Sequence, residues 1–176
     1  MKKLIRYRIS IAVKFPATHP RKGEPTDFVE QISNARDTSP YEAHLSPEDR
    51  VKYIKKCHTI RGNYELWEKR FKKINRGEAV IELYRWEGKP FNSNQVIFAT
   101  LGKEDGIGLQ PLKLHPIMIT GALKNNDVAL TSSNGGLSLS KVAVNDGLSL
   151  DDFKAWFKGA DLSKPLAIIH FTDFRY

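Results

Sequence analysis

The sequence predicts a mixed α+β domain in which short strands form a barrel-like arrangement. Three observations favour this fold class. Helical segments with capping residues lie between the early strands, short β-type runs dominate after Gly77, and one helix precedes an apolar closing strand. The 176 residues can bury a core of their own, and no internal repeat or low-complexity linker divides them. We therefore expect one domain over residues 1–176.

The first part of the chain combines one strand with two short helices. Residues 5–15 alternate apolar and polar side chains, which predicts a strand. In "EPTDFVEQISNA", Thr26 is a suitable N-cap for a short helix. Ser46 can cap a second helix over "SPEDRVKYI", which would turn Val51 and Ile54 inward.

The segment after these helices contains a short strand and a longer helix. The residues "CHTIR" favour a strand, and Asn63 can cap a helix from Tyr64 to Asn75 that ends at Gly77. This helix carries an apolar stripe with spacings of three and four residues: Tyr64, Trp67, Phe71 and Ile74. We expect the stripe to belong to the core and not to form a surface for base stacking.

The remainder of the chain is mainly β in character. Its strand-like runs are "EAVIELYRW", "NQVIFATLG", "IGLQPLKLH", "IMITGALK", "DVALTS" and "LSLSKVAV", separated by Gly, Asn, Asp or Pro. Ser149 can cap one helix in "DGLSLDDFKAWFKG". The final "LAIIHFTDFRY" is too apolar for an edge strand, so we expect a buried closing strand.

The positive charge is concentrated in one segment. Residues 50–76 contain ten Lys or Arg and two acidic residues, a net charge of +8 that equals the net charge of the whole chain. Such a segment suits a polyanion, although a solvated helix face rich in lysine is the simpler alternative. If nucleic acid binds here, the expected contacts are Lys52, Lys55, Lys69, Arg70, Lys72, Lys73 and Arg76.

Several classes of protein do not fit the sequence. No apolar run approaches the ~20 residues that span a bilayer, so we expect no membrane partner. The single cysteine, Cys57, excludes an intrachain disulfide and agrees with a cytoplasmic protein, and no nearby pattern indicates a catalytic thiol. The five histidines lack metal-ligand spacing and no phosphate-binding glycine loop occurs, so we expect neither a metal nor a cofactor.

One group of residues could support chemistry. If "CHTIR" is a strand, Thr59 and Arg61 share one face and His58 points to the other, while Lys56 can lean over Thr59. A lysine whose pKa is lowered by burial can act as a general base toward a hydroxyl. The alternative is a threonine on a strand flanked by solvated cations, and the residue chemistry alone favours that simpler interpretation.

Three stretches of the chain form a pattern: "KKCHTIR", "INRGEAVIELYRW", and "NDGLSLDDFKAWF" together with the closing "LAIIHFTDFRY". In order and spacing they resemble the ASCH family of the PUA-like superfamily of small β-barrels. The resemblance spans Lys55 to Tyr176. It implies a PUA-like mixed β-barrel with helices inserted between the early strands and one helix before the last strand. Relative to small members of the family, the chain has embellishments at about 34–50, 63–76 and 115–144.

The resemblance also implies a site. ASCH domains are expected to bind RNA or modified bases, and some small bacterial members remove the acetyl group of N4-acetylcytidine with a lysine, a threonine and a glutamate. The motif match gives Lys56 the role of base and Thr59 that of nucleophile, with Arg61 and His58 as ligand-binding residues. The acidic position falls on Asp146, which is one methylene shorter than glutamate.

Three hypotheses follow from these observations. The first is a binding module that holds a nucleobase or nucleoside in a barrel cleft while the basic segment contacts the phosphates of a nucleic acid, RNA in preference to DNA. The second is an amidohydrolase acting on N4-acetylcytidine or a related N-acylated nucleoside. The third is a protein-interaction adaptor, which a side chain blocking the pocket over Thr59 would favour.

Overall fold

A computed structural model of the chain describes residues 3–37, 46, 54–114, 128–131 and 136–176. In these ranges the chain forms eight strands, four α-helices and a 3₁₀ turn at Lys103–Asp105. The elements are, in chain order, β1 (Ile5–Ser10), α1 (Phe28–Arg36), β2 (His58–Arg61), α2 (Tyr64–Asn75), β3 (Ala79–Trp86), β4 (Gln95–Leu101), β5 (Gly108–Lys113), β6 (Val128–Thr131), β7 (Gly136–Ser138), α3 (Leu139–Asn145), α4 (Leu150–Phe157) and β8 (Leu166–His170).

The strands form two sheets. One has the order β1-β3-β4, with β1 parallel to β3 and β3 antiparallel to β4. The other has the order β2-β8-β5-β6-β7, and all of its neighbouring strands are antiparallel. The residues buried between and around the sheets form a single hydrophobic cluster.

The predicted α+β class is confirmed. Helix α1 lies between β1 and β2, and α2 lies between β2 and β3, so helices do separate the early strands. The closing strand β8 is fully buried, as its apolar sequence predicts, because it lies between β2 and β5. No helix in the described ranges is long and apolar enough to cross a bilayer.

Helix α2 has the predicted bounds and cap. The Asn63 side chain accepts a hydrogen bond from the Leu66 N–H at 3.2 Å, and Gly77 follows the helix with a φ of 71°. Trp67, Phe71 and Ile74 are buried, which confirms that this part of the apolar stripe belongs to the core.

The first strand and the first helix begin and end differently from the prediction. β1 ends at Ser10 instead of residue 15. The N-cap of α1 is Asp27 and not Thr26. The Thr26 hydroxyl is buried, donates to the Ala12 carbonyl at 2.6 Å and accepts from the Phe28 N–H at 3.5 Å. Thr26 therefore ties the chain after β1 to the start of α1.

The run "LSLSKVAV" was expected to be a strand, but from Leu139 onward it is helix α3. Leu139, Val142 and Ala143 are buried at helical spacing, which the period-two interpretation overlooked. Two helices therefore precede β8 instead of one. Ser149 caps the second of them, α4, by accepting from the Asp152 N–H at 3.1 Å, as predicted.

Some predictions concern residues beyond the described ranges. These are the helix over "SPEDRVKYI" apart from its first and last residues, the run "IMITGALK", and the contact residue Lys52. Ile54 is described, and it is 47% exposed instead of facing inward. It lies with Val144 and Gly147 at the wall of a surface depression, so it is not part of the core.

Candidate functional site

A small cavity lies beside β2, where the two sheets, α1 and α4 meet. Its volume is about 180 Å³. Polar side chains and aromatic rings both contribute to its walls, which are formed by Ser10, Ile11, Ala12, Phe28, Lys56, Thr59, Ile60, Arg61, Asp146, Trp156 and Phe157. Four of the residues singled out in the sequence, Lys56, Thr59, Arg61 and Asp146, are thus brought together on one cavity.

Strand β2 presents two of these residues. Thr59 pairs with Ile169 of β8 and is buried, and Arg61, two residues further along, also lines the cavity. One terminal nitrogen of Arg61, Nη2, donates to the Ser10 carbonyl at 2.5 Å. This bond fixes the guanidinium between the two sheets. The buried Nε of Arg61 has no hydrogen-bond partner among the described residues.

Lys56 and Asp146 form the most buried ion pair at the cavity. A β-bridge joins their backbones although they lie 90 residues apart in sequence. Lys56 Nζ donates to the Asp146 carboxylate and to the Asp146 carbonyl, both at 2.5 Å, and lies 4.2 Å from the centre of the Phe28 ring. Within the described residues, no hydrogen bond joins Lys56 to the Thr59 hydroxyl.

Burial and ion pairing shift the pKa values of Lys56 and Asp146 in opposite directions. Burial lowers the pKa of Lys56, although the Asp146 carboxylate opposes the change. Burial would raise the pKa of Asp146, but the Lys56 ammonium, together with His58, outweighs it and holds the pKa below its ordinary value. Asp146 is therefore a carboxylate at neutral pH, and Lys56 loses its proton more readily than an exposed lysine does.

The backbone after Asp146 is shaped by close packing. Gly147 has a φ of 76°, and a Cβ there would overlap Oε1 of Gln31 and lie 3.3 Å from the Lys56 Cβ. The Gln31 carbonyl in turn accepts from the Lys56 N–H at 3.0 Å. The left-handed φ favours glycine next to Asp146, and α1 packs directly against this turn.

His58 lies outside the cavity wall, so we do not retain it as a ligand-binding residue. Its ring is fully buried, with Nε2 at 2.7 Å from the Tyr176 hydroxyl and Nδ1 at 3.5 Å from the Asp146 carboxylate. Asn145 donates to the same hydroxyl at 3.1 Å. Among the described residues, Nδ1 of His58 has no hydrogen-bond partner, so the ring is held through Nε2 and Tyr176.

A second buried histidine, His170, contacts the first edge to face. The rings of His58 and His170 are 5.6 Å apart, and neither ring nitrogen of His170 has a hydrogen-bond partner among the described residues. Burial, with added repulsion from His58 and Arg175, lowers the pKa of His170 to about 3. Despite this cluster, the described residues contain no group of side chains arranged to hold a metal ion.

The cations of α2 are on the surface and away from the cavity. Lys72 lies 3.6 Å from Glu68 and Arg76 lies 3.1 Å from Glu78, while the guanidinium of Arg70 stacks on the Trp67 ring at 4.5 Å. Lys69 is exposed, and Lys73 and Lys55 are half-buried.

The direction of α2 explains this separation. The helix leads into the Ala79 end of β3, whereas Tyr84 of the same strand pairs with Ser10 at the cavity. At a strand rise of ~3.3 Å per residue, these two ends of β3 are roughly 17 Å apart. The C-terminal half of α2 therefore does not form a wall of the cavity.

Sequence reasoning missed the aromatic walls of the cavity. Phe28 and Phe157 are buried and Trp156 is half-buried. Each stands at a helical apolar position, so each resembled an ordinary core residue. Only the three-dimensional packing of α1 against α4 turns them toward the polar residues of β2.

Comparisons of the chain with protein-family models, with curated proteins and with solved structures find no match. The resemblance to the ASCH family therefore rests on the sequence stretches quoted above.

Proposed function

We propose that the chain is a nucleobase-binding protein of the ASCH type that holds one base, most simply in RNA, in the cavity beside β2. The observation that carries this proposal is the convergence of Lys56, Thr59, Arg61 and Asp146 on one cavity with aromatic walls. Bases extruded from a strand are held in this manner, by hydrogen bonds to their edges and by aromatic contacts on their faces.

The size of the cavity supports a ligand of one ring. Pockets for drug-sized ligands measure about 300–1,000 Å³, and this cavity is smaller at about 180 Å³. A pyrimidine base is a better match than a whole nucleotide, so the sugar and the phosphates would stay outside.

The polar groups of the cavity can form hydrogen bonds with both edges of such a ring. The carboxylate of Asp146 accepts hydrogen bonds, Lys56 and Arg61 donate them, and the Thr59 hydroxyl does both. The unpartnered Nε of Arg61 is a buried donor that a base carbonyl would satisfy. Leaving such a donor without a partner is costly, which favours a ligand acceptor at this position.

The fold is compatible with this assignment. The two sheets meet at the cavity, where Arg61 of one sheet donates to Ser10 of the other. We interpret the two sheets as an open form of the PUA-like barrel, with no strand pairing between them in the described ranges. A bulky side chain blocking the pocket over Thr59 would favour the adaptor hypothesis, but among the described residues Thr59 lines an open cavity.

Calorimetric titration with cytidine, with N4-acetylcytidine and with a cytidine pentamer tests the proposal. Thr59→Val keeps the side-chain shape but removes the hydroxyl, so we expect binding to weaken about 5- to 150-fold, the effect of one unpaired buried polar group. Thr100→Val, at an exposed position of β4, is the matched control and should bind normally. Absence of binding of all three ligands to the wild-type protein would refute the proposal.

A second function, hydrolysis of N4-acetylcytidine, is favoured by one observation. Lys56, whose pKa burial lowers, lines the same cavity as Thr59. In this reaction the deprotonated form of Lys56, which burial makes easier to reach, takes the Thr59 proton while the threonine oxygen bonds to the acetyl carbon. The carbon–nitrogen bond then breaks, Lys56 returns the proton to the leaving nitrogen, and water releases acetate from Thr59.

Chromatographic detection of cytidine tests this second function separately. Wild type and Thr59→Ser should release cytidine from N4-acetylcytidine, whereas Thr59→Val should not. Equal release by wild type and Thr59→Val would exclude Thr59 as the nucleophile. If the wild-type protein binds N4-acetylcytidine without releasing cytidine, binding is the function and hydrolysis is excluded.

A further inference from the structure

A second concave surface lies directly beside the cavity. We call it the aromatic groove; its volume is about 690 Å³, and it is lined by Ser10, Ile11, Ala12, Val13, Lys14, Tyr84, Trp86, Glu87, Gly88, Lys89, Pro90 and Phe91. The segment 10–12 belongs to the walls of both the groove and the cavity. The two spaces therefore share this segment as a common wall.

Three aromatic rings follow one another along the groove. The Tyr84 and Trp86 rings are 5.7 Å apart and nearly perpendicular, and the Trp86 and Phe91 rings are 5.3 Å apart. Trp86 is half-buried, whereas Phe91 is 87% exposed. A large apolar side chain this exposed contributes little to the core, so its exposed ring face is available to a ligand.

The backbone holds Phe91 in an unfavourable conformation. Its φ of 66° is in the left-handed region, which costs a bulky residue free energy that glycine would not lose. The turn around it is well fixed: the Ser93 hydroxyl donates to the Lys89 carbonyl at 2.9 Å and accepts from the Gly88 N–H at 3.0 Å. The backbone that carries the ring is thus held by two hydrogen bonds.

The charges around the groove favour an anionic strand. Lys14 and Lys89 are exposed on its lining, with Glu87 as the one acidic lining residue. Aromatic rings beside lysines are the usual surface for single-stranded nucleic acid, where bases stack on the rings and phosphates contact the cations. An uncharged acyl chain would use the rings but would gain nothing from the lysines.

We propose that the aromatic groove is a second base-binding subsite, which stacks the base adjacent to the one held in the cavity. The ligand of the chain is then a single-stranded RNA and not a free nucleoside. This inference rests on the proposed function of the cavity and adds the class of ligand to it. It also explains why the Phe91 ring is exposed, since a ring that stacks a base need not pack in the core.

The test compares a nucleoside with a short strand on the same protein. Cytidine, N4-acetylcytidine and cytidine pentamers with either base in the central position are titrated against wild type and Phe91→Ala. We expect the pentamers to bind more tightly than the nucleosides, and Phe91→Ala to weaken pentamer binding roughly 5- to 150-fold, the effect of one lost stacked base. Nucleoside binding should stay within about twofold, because Phe91 does not line the cavity.

Two further variants make the test specific. Ile97→Ala removes an apolar side chain that is 40% exposed on the neighbouring strand β4 and outside the groove, so it should leave pentamer binding unchanged. Trp86→Phe keeps a ring for stacking, so it should retain pentamer affinity but lose part of the fluorescence change that the pentamer causes in wild type. Circular dichroism checks that each variant is folded.

The outcomes separate the subsite from the cavity. Pentamer affinity that is unchanged in Phe91→Ala, or no higher than nucleoside affinity in wild type, overturns the subsite while the cavity keeps its function. Wild type that binds neither nucleosides nor pentamers overturns both. Tight binding of a peptide or an acyl chain to the groove, with no preference for the pentamers, also overturns the subsite.

Discussion

Two lysine–carboxylate pairs in this chain are chemically alike and physically very different. Lys56 and Asp146 lie 2.5 Å apart, with side chains that are 3% and 7% exposed. Lys72 and Glu68 lie 3.6 Å apart on α2, with side chains that are 66% and 49% exposed. The first pair joins distant parts of the chain at the cavity, and the second joins neighbouring turns of one helix.

The difference shows why charge density alone does not locate a site. Exposed pairs contribute about 0–1 kcal/mol, because water screens the charges and side-chain entropy opposes the contact. Burying a pair costs several kcal/mol per ion, and only good geometry and further hydrogen bonds offset that cost. A buried pair at a cavity is therefore a specific arrangement, whereas most of the positive charge of the chain lies elsewhere.

The largest expected effect is on the buried pair. Asp146→Asn should lower the free energy of unfolding by about 3–5 kcal/mol, because it leaves the Lys56 ammonium buried without a counter-charge. Glu68→Gln is the matched control on the exposed pair and should change it by less than about 0.5 kcal/mol. Urea denaturation at pH 7 measures both.

A double variant sharpens the same comparison. Lys56→Met combined with Asp146→Leu removes both charges, and it should recover most of the stability that Asp146→Asn loses. If Asp146→Asn proves as mild as Glu68→Gln, the buried pair does not differ energetically from the exposed one.

The next effect concerns pH and the buried histidine beside the pair. The pKa of His170 is lowered from 6.5 to about 3 in the folded chain. Between these values the unfolded chain binds a proton that the folded chain does not. Stability is therefore complete above pH 6.5 and falls as the pH drops toward 3, by up to about 1.4 kcal/mol per pH unit.

Substitution of this histidine isolates its contribution. His170→Leu removes the titrating ring, so the fall in stability between pH 6.5 and pH 4 should be smaller than in wild type. His58 faces the same space and its pKa is also lowered by burial, so part of the slope should remain. Identical slopes in wild type and His170→Leu would show that the ring is protonated in the fold.

The smallest effect on stability is expected at the surface cations of α2. Lys69→Gln with Lys73→Gln should change the free energy of unfolding by less than about 0.5 kcal/mol for each substitution. If α2 contacts RNA phosphates, the slope of log affinity against log salt should fall by about 0.7 for each lost contact. Lys22→Gln with Lys141→Gln, elsewhere on the surface, should leave the slope unchanged, and equal slopes in both pairs would remove α2 from the interface.

Local signals in the sequence determined which elements could be predicted. Helix α2 has a cap at Asn63, an apolar stripe and a stop at Gly77, and each signal lies within the helix or next to it. The predicted cap of α1 was wrong by one residue, and the bond from Thr26 to the Ala12 carbonyl could not be predicted because Ala12 is distant in sequence. The prediction of a strand where α3 lies was wrong because these residues fit both a period of two and a helical spacing.

The site residues also differ in whether a local sequence pattern or a contact between distant segments determines them. The alternation within β2 grouped Thr59 with Arg61, and both line the cavity, but Ile60 between them lines it as well. The link from Lys56 to Asp146 came from the ASCH resemblance and not from any local pattern. The aromatic walls and the bond between His58 and Tyr176 depend on packing between segments more than 100 residues apart. Periodicity in one segment contains no information about such partners.

The position of β8 has a consequence for how the chain folds during synthesis. This strand is the last of the described strands to leave the ribosome, yet it lies between β2 and β5. Until it arrives, both neighbours expose unpaired strand edges, which are aggregation-prone. We expect the cavity to assemble late and cooperatively, so that a nascent chain lacking β8 needs protection by a chaperone and binds no ligand.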